Sequence, residues 1–149
     1  MRYILVSACL MGTCCRYDGR TNGCDGVLSL MEREDVCLIP VCPEQLGGLP
    51  TPRIPSERRG ETVVSKDGAD VTAQFIRGAE EALRIARLYG CTIAILKERS
   101  PSCGTGTIYD GTFTGTLTEG DGVTAQLLRQ NGIFTCGESR VQEIAASLQ

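Results

Sequence analysis

The chain alternates short runs that are apolar throughout with longer stretches whose apolar positions recur every three or four residues. RYILVSA (2–8), VCLIPVC (36–42), CTIAILKE (91–98) and IFTC (133–136) are the apolar runs. A strand without polar alternation is buried on both faces, as in parallel sheets covered by helices. VTAQFIRGAEEALRIARLY (71–89) is the clearest helix, with Phe75, Ala79, Ala82, Leu83 and Ala86 on one stripe. Asp70 is its expected N-cap and Gly90 its C′ residue. Shorter helices are expected around 26–34, over 121–131 with Asp121 as cap, and over 139–149 with Ser139 as cap.

Turn residues punctuate this pattern. Gly12 to Gly23 reads as a loop, and the proline-rich segment from Pro43 to Gly60 as irregular. ETVVSKDGADV predicts a hairpin turning at Lys66-Asp67-Gly68, and Asp110-Gly111 predicts a second tight turn. Strands alternating with helices predict one α/β domain over residues 1–149. Its expected form is three layers around a mostly parallel sheet, with the proline-rich loop and short β-hairpins added. No repeat, low-complexity tract or linker divides it.

Composition narrows the functional classes. With 149 residues, 42% apolar and 22% charged, the chain can bury a proper core. No apolar run approaches the length of a membrane-spanning helix. The opening MRYILVSACLMG has too short an apolar run for a secretory leader, so a cytoplasmic protein is expected. A net charge of −3 makes nucleic acid an unexpected partner for this domain alone. Arg53, Arg58 and Arg59 read as a solvated loop, and a small anionic ligand stays open. Nothing in the pattern bears on oligomeric state.

Two counts carry chemical weight. Histidine is absent, which excludes a Ser-His-Asp triad, a Cys-His nucleophile pair and imidazole acid–base chemistry. Cysteine occurs nine times, an odd number that does not suit a disulfide framework. Cys9 follows the first expected strand, Cys42 ends the second and Cys103 lies just after the third. In open parallel sheets ligands bind outside the carboxyl ends of the strands, where these three thiols would converge. Structural zinc usually takes four ligands, often from Cys-x-x-Cys pairs, and the chain has no such pair. Three thiolates suit an iron–sulfur cluster better. Each cysteine has a plainer reading as a small buried apolar residue, and Cys37, Cys91 and Cys136 are assigned that way. Cys14, Cys15 and Cys24 stay open. So does a non-catalytic zinc-binding or redox-sensing role for the thiols.

Five ordered blocks carry a resemblance. SACLMGTCCRYDG (7–19), PVCPEQLGGLPTPR (40–53), GADVTAQFIRGAEEALRIA (68–86), ILKERSPSCGTGTIYDGTF (95–113) and GDGVTAQLLRQNGIF (120–134) are similar to blocks of the TudS-like thiouracil desulfidase family. The resemblance implies a [4Fe-4S] enzyme that takes sulfur from a thiolated uracil, base or nucleotide, without net redox. It implies Cys9, Cys42 and Cys103 as the cluster ligands, one iron staying open to capture sulfur, and Cys15 as a reserve thiol with a structural role. Met11 stands where leucine is usual, a swap that conserves volume.

Without histidine, proton transfer falls to carboxylates. Glu44, next to Pro43 and Cys42, is the expected base for the attacking water; its bland alternative is a surface acid paired with Arg53. Ser100, and less so Ser102, are expected to hold the water or the base edge, or else simply to start a turn. Tyr17 and Asp18 are candidate pocket-wall residues, although Asp18-Gly19 also reads as a turn. Lys97 and Arg99 would meet a phosphate if the substrate is a nucleotide. A thiolated uridine within tRNA is the alternative substrate.

Overall fold

The computed structural model describes residues 1–148; Gln149, the last residue of the expected closing helix, lies outside it. Four parallel strands form the central sheet: β1 (Arg2–Ser7), β2 (Val36–Val41), β5 (Ile93–Leu96) and β8 (Phe134–Gly137). Their order is β2-β1-β5-β8. The chain steps outward from β1 to β2, then crosses back to lay β5 on the other side of β1. Strand direction of growth therefore reverses between β1 and β5. Such a switch point opens a crevice at the carboxyl ends of the strands.

β1, β2 and β5 are each shorter than their apolar runs, and β8 is shifted one residue along its own. Ala8–Met11 turns off as a 3-10 helix directly after β1, and Cys91 and Thr92 precede β5. Successive residues still face opposite layers. Ile4 and Val6 pack with Val27, Leu30, Val141 and Ile144 from α1 (Asp25–Leu30) and α5 (Val141–Ser147). Leu5 packs with Ala82, Leu83, Ala86, Ala125 and Leu128 from α3 (Thr72–Tyr89) and α4 (Val123–Gln130). Three layers result, with a dry core on both faces of the sheet. Among the described residues no helix is long and apolar enough to cross a membrane.

The ends of the helices depart from the expected caps. Asp70 accepts from the Thr72 N–H at 2.9 Å, but the capping position itself is Val71. Gly90 closes α3 in the left-handed region at φ 66°, as expected. Asp121 does not cap α4: it accepts from the Gly106 N–H at 2.7 Å and pairs with Arg129 at 2.8 Å. Gly122 occupies that capping position instead. Ser139 sits in a 3-10 turn before α5 and its hydroxyl bonds Glu98 at 3.1 Å. In both cases a long-range partner outbids the local one.

Hairpin positions are corrected as well. The proline-rich segment is not wholly irregular. It holds a one-turn helix, α2 (Pro43–Leu46), and a strand, β3 (Ser56–Arg59), that pairs antiparallel with β4 (Thr62–Ser65). The main turn thus lies at Gly60-Glu61, one strand earlier than expected. The Lys66-Asp67-Gly68 turn exists but is followed by a single bridge, Val64 to Asp70. The second ribbon pairs β6 (Thr107–Tyr109) with β7 (Leu117–Glu119), so Asp110-Gly111 opens a seven-residue loop (110–116) rather than a two-residue turn.

Candidate functional site

A cavity of about 580 Å³ opens at the carboxyl ends of β1, β2 and β5. From β1 and its loop come Ser7, Cys9, Cys15, Tyr17 and Asn22. From β2 come Cys42 and Glu44, and from β5 come Lys97 to Cys103. Arg53 and the two ribbons supply the remaining wall, including Glu57, Tyr109 and Phe113. The three thiols expected to meet do line one space, and Cys15 joins them. Among the described residues no three Cys, Asp or Glu are arranged around a point that would hold a single metal ion. The thiols border a volume.

Local chemistry explains why each thiol is there. The Cys9 carbonyl accepts from Gly12 N–H at 3.2 Å, Asn22 N–H at 3.0 Å and the Thr21 hydroxyl at 2.9 Å, which folds the Gly12–Gly23 loop back over β1. Cys42 follows β2 directly and occupies the N-cap position of α2, where Pro43 is tolerated because the first helical N–H has no partner to lose. Glu44 then falls in that first turn, where a carboxylate suits the positive helix end. Cys-Pro-Glu is thus a strand end turned sharply into a helix start. Ser100 fixes the third corner, its Oγ accepting from the Ser102 and Cys103 N–H groups, each at 3.1 Å.

Cys15 lies between Cys9 and Cys42. Hydrogen bonding from the Cys15 side chain, against the opposing effect of burial, lowers Cys9 to about 7 and Cys42 to about 6. The same contacts and burial push Cys15 far up and keep it a thiol. Cys103 is pushed up to about 12, chiefly by burial, with hydrogen bonds from Ser7 and Ser102 acting the other way. Desolvation disfavours the thiolate wherever no donor or cation compensates.

Next to the thiols runs a line of polar groups. Arg53 Nε donates to Glu44 Oε1 at 2.9 Å, with side chains only 7% and 15% exposed. Ser102 Oγ donates to Glu44 Oε2 at 3.0 Å and lies 2.9 Å from Ser100 Oγ. A hydroxyl has one proton, so with Ser102 donating to Glu44, the Ser100 hydroxyl donates to Ser102. Ser102 Oγ also lies 3.7 Å from Cys103 Sγ. Glu44 therefore pairs with Arg53, mostly buried rather than at the surface, and also lines the thiol-bearing cavity.

The remaining candidates divide. Tyr17 lines the cavity and is 42% exposed, while Asp18 lies outside the lining, paired with Arg16 at 3.3 Å and accepting from Arg20 N–H at 3.0 Å. Asp18-Gly19 is the turn. Lys97 and Arg99 both border the cavity, Lys97 paired with Glu138 at 2.8 Å. Cys91 and Cys136 are buried among core residues and Cys14 is exposed. The sequence reading passed over Ser7, Asn22, Tyr109 and Phe113. Ser7 was within reach, being the last residue of a buried strand; the two aromatics arrive from a ribbon whose folding onto the site no local pattern announces.

Among the described residues two non-glycines have left-handed backbones, Arg99 at φ 68° and Phe113 at φ 58°, and both line the cavity. That conformation is costly for a bulky residue and persists only where neighbours over-determine it. Glu57 does this for Phe113, its Oε1 accepting from the Gly111 N–H at 2.9 Å and the Phe113 N–H at 3.2 Å.

A family model described as 2-thiouracil desulfurase matches residues 4–140. The chain belongs to that family. A solved structure of a [4Fe-4S]-dependent thiouracil desulfidase, TudS, superposes with a TM-score of 0.92 and 47% identity, covering 99% of this chain and 98% of that one. YbbK of Bacillus subtilis (strain 168), an uncharacterized protein, is 40% identical over 151 residues, spanning 95% of this chain and 99% of its own length. The desulfurase family match thus takes in all three strand ends and every thiol of the cavity.

Proposed function

We propose that this chain is a [4Fe-4S]-dependent desulfidase that exchanges the sulfur of a thiolated uracil, as base, nucleoside or nucleotide, for oxygen. The observation that carries the reading is the meeting of Cys9, Cys42 and Cys103 with Glu44 and Ser102 around one cavity. The likeness to a thiouracil desulfidase over 99% of the chain supports it.

The donor set fits the group. All candidate ligands are sulfurs and histidine is absent, the donor chemistry of iron–sulfur clusters. Cys9, Cys42 and Cys103 would hold it, with Cys15 as a structural thiol hydrogen-bonded between two of them. When bound, the cluster would supply a thiophilic iron without a protein ligand, able to polarise a thiocarbonyl and accept its sulfur.

The chain's own groups manage water and protons. Glu44 Oε2 takes a proton from the attacking water while the new carbon–oxygen bond forms, and the carbon–sulfur bond then breaks. The Ser102 and Ser100 hydroxyls orient that water and pass both of its protons, the first held on Glu44 and the second released as the carbonyl forms, to the leaving sulfur. Thiocarbonyl plus water gives carbonyl plus hydrogen sulfide, so no oxidant or reductant is needed. Tyr17, Tyr109 and Phe113 wall the base. Anaerobic reconstitution followed by sulfide detection across 2- and 4-thiolated pyrimidines, free and as nucleotides, tests the reading. Colourless, zinc-loaded protein without sulfide release would replace it with a metal-sensing role.

A further inference from the structure

One side chain of the cavity wall is bonded far beyond the needs of a loop residue. Every nitrogen of the Arg53 guanidinium is engaged. Nε donates to Glu44 Oε1 at 2.9 Å; Nη1 donates to Thr51 Oγ1 at 3.0 Å and the Pro50 carbonyl at 3.2 Å; Nη2 donates to the Cys15 carbonyl at 2.9 Å. Its own backbone N–H donates to the Tyr17 carbonyl at 2.7 Å. The Cys15 carbonyl that Arg53 holds also accepts from Cys42 Sγ at 3.8 Å. A continuous line therefore runs from Cys15 through Arg53, Glu44 and Ser102 to Ser100, crossing the loops after all three strands.

We propose that Arg53 is a positioning residue: it clamps Glu44 to the Cys15–Tyr17 loop, occupying Oε1 and leaving Oε2 for the Ser102 hydroxyl. The inference rests on the functional reading above for what Glu44 does, but not for the clamp itself. An unclamped glutamate samples several rotamers, and most of them carry Oε2 away from Ser102. Simple charge neutralisation would be met by any cation. Holding three segments at once requires the planar fork, which a lysine ammonium on a flexible stem does not reproduce.

Arg53→Lys in the full-length chain tests this in two arms. The first needs no turnover. Amide hydrogen exchange of the apo-protein should quicken roughly tenfold in peptides covering residues 13–22, as expected for losing a charge-assisted hydrogen bond. Glu44→Gln, which keeps an acceptor for Nε, should leave those peptides unchanged. Equal exchange in R53K and the wild type overturns the clamp.

The second arm is kinetic. R53K should bind as much iron as the wild type, keep KM within about threefold and lose about 100-fold in kcat, the scale of a misplaced reacting group. In an E44Q background the same substitution should cost nothing further, because the group it positions is gone. Wild-type kcat in R53K, or an additive loss in the double variant, overturns the proposal. Should R53K fail to fold, Thr51→Val removes one anchor of the guanidinium and is expected to move both readouts in the same direction by less; no movement in either overturns it. A wild-type protein that releases no sulfide from any thiolated pyrimidine sinks the functional reading alone, and the exchange arm still decides the clamp.

Discussion

Gly47 and Gly78 meet backbone to backbone where α2 crosses α3. A Cβ on Gly78 would stand 1.9 Å from the Pro43 carbonyl oxygen, and one on Gly47 would stand 1.9 Å from the Gln74 carbonyl oxygen. Pro43 lies between Cys42 and Glu44, so this crossing sets the height of both over the cavity. Gly78→Ala should force the helices apart, costing about 1–3 kcal/mol. Thermal unfolding should show a Tm several degrees lower, and cluster content should fall with it. An unchanged Tm would mean that the crossing yields without strain.

The thiols are expected to separate into two groups. Cys9→Ala, Cys42→Ala and Cys103→Ala should each lose the brown colour and the complement of about four irons per chain. Cys91→Ala, in the core on the α3 side of the sheet, should keep both. Cys15→Ala should retain iron after anaerobic reconstitution. Iron analysis and visible absorbance of the five variants, purified side by side, check this; iron loss in Cys15→Ala would promote Cys15 to a ligand.

Glu44→Gln keeps the shape of the side chain and removes its basicity. Iron content should match the wild type while kcat falls by about 10²- to 10⁴-fold, the usual scale for a general base. Ser102→Ala interrupts the hydroxyl line and should cost less. Sulfide release at the wild-type rate from Glu44→Gln would remove Glu44 from proton transfer.

Glu57 holds the loop after β6 from outside the thiol cluster. Glu57→Ala should free the Gly111 and Phe113 amides, seen as faster hydrogen exchange confined to residues 110–116, and relax the left-handed Phe113. Iron binding should be unaffected, and KM for the thiolated pyrimidine should rise. Spread of the faster exchange into the parallel sheet would show instead that Glu57 supports the whole fold.

Much of this architecture is written locally. The four strands stand out because burial leaves their centres almost wholly apolar, with Thr135 in β8 the polar exception, and Gly90 ends α3 because its left-handed backbone suits glycine. Cys9, Cys42 and Cys103 could be picked out because strand ends are where parallel sheets expose ligand sites. Several of the departures share one physical source: partners distant in sequence. Asp121 and Ser139 look like caps until Gly106, Arg129 and Glu98 claim their side chains. Asp110-Gly111 looks like a tight turn until Glu57, more than fifty residues earlier, is seen to shape a wider loop. Arg53 reads as solvated because it stands between Pro52 and Pro55 in a turn-rich segment, and nothing near it reveals Cys15 or Glu44.

The cavity is closed by residues as far apart as Ser7 and Gly115. The thiols proposed as ligands lie far apart along the chain, Cys9 following β1 and Cys103 following β5. On the proposed ligand set no fragment lacking β5 and the loop after it could retain the cluster, so its delivery would wait until that strand is made. Maturation and folding would thereby become a single quality check: a molecule that has mispaired β5 would have nowhere to put a cluster.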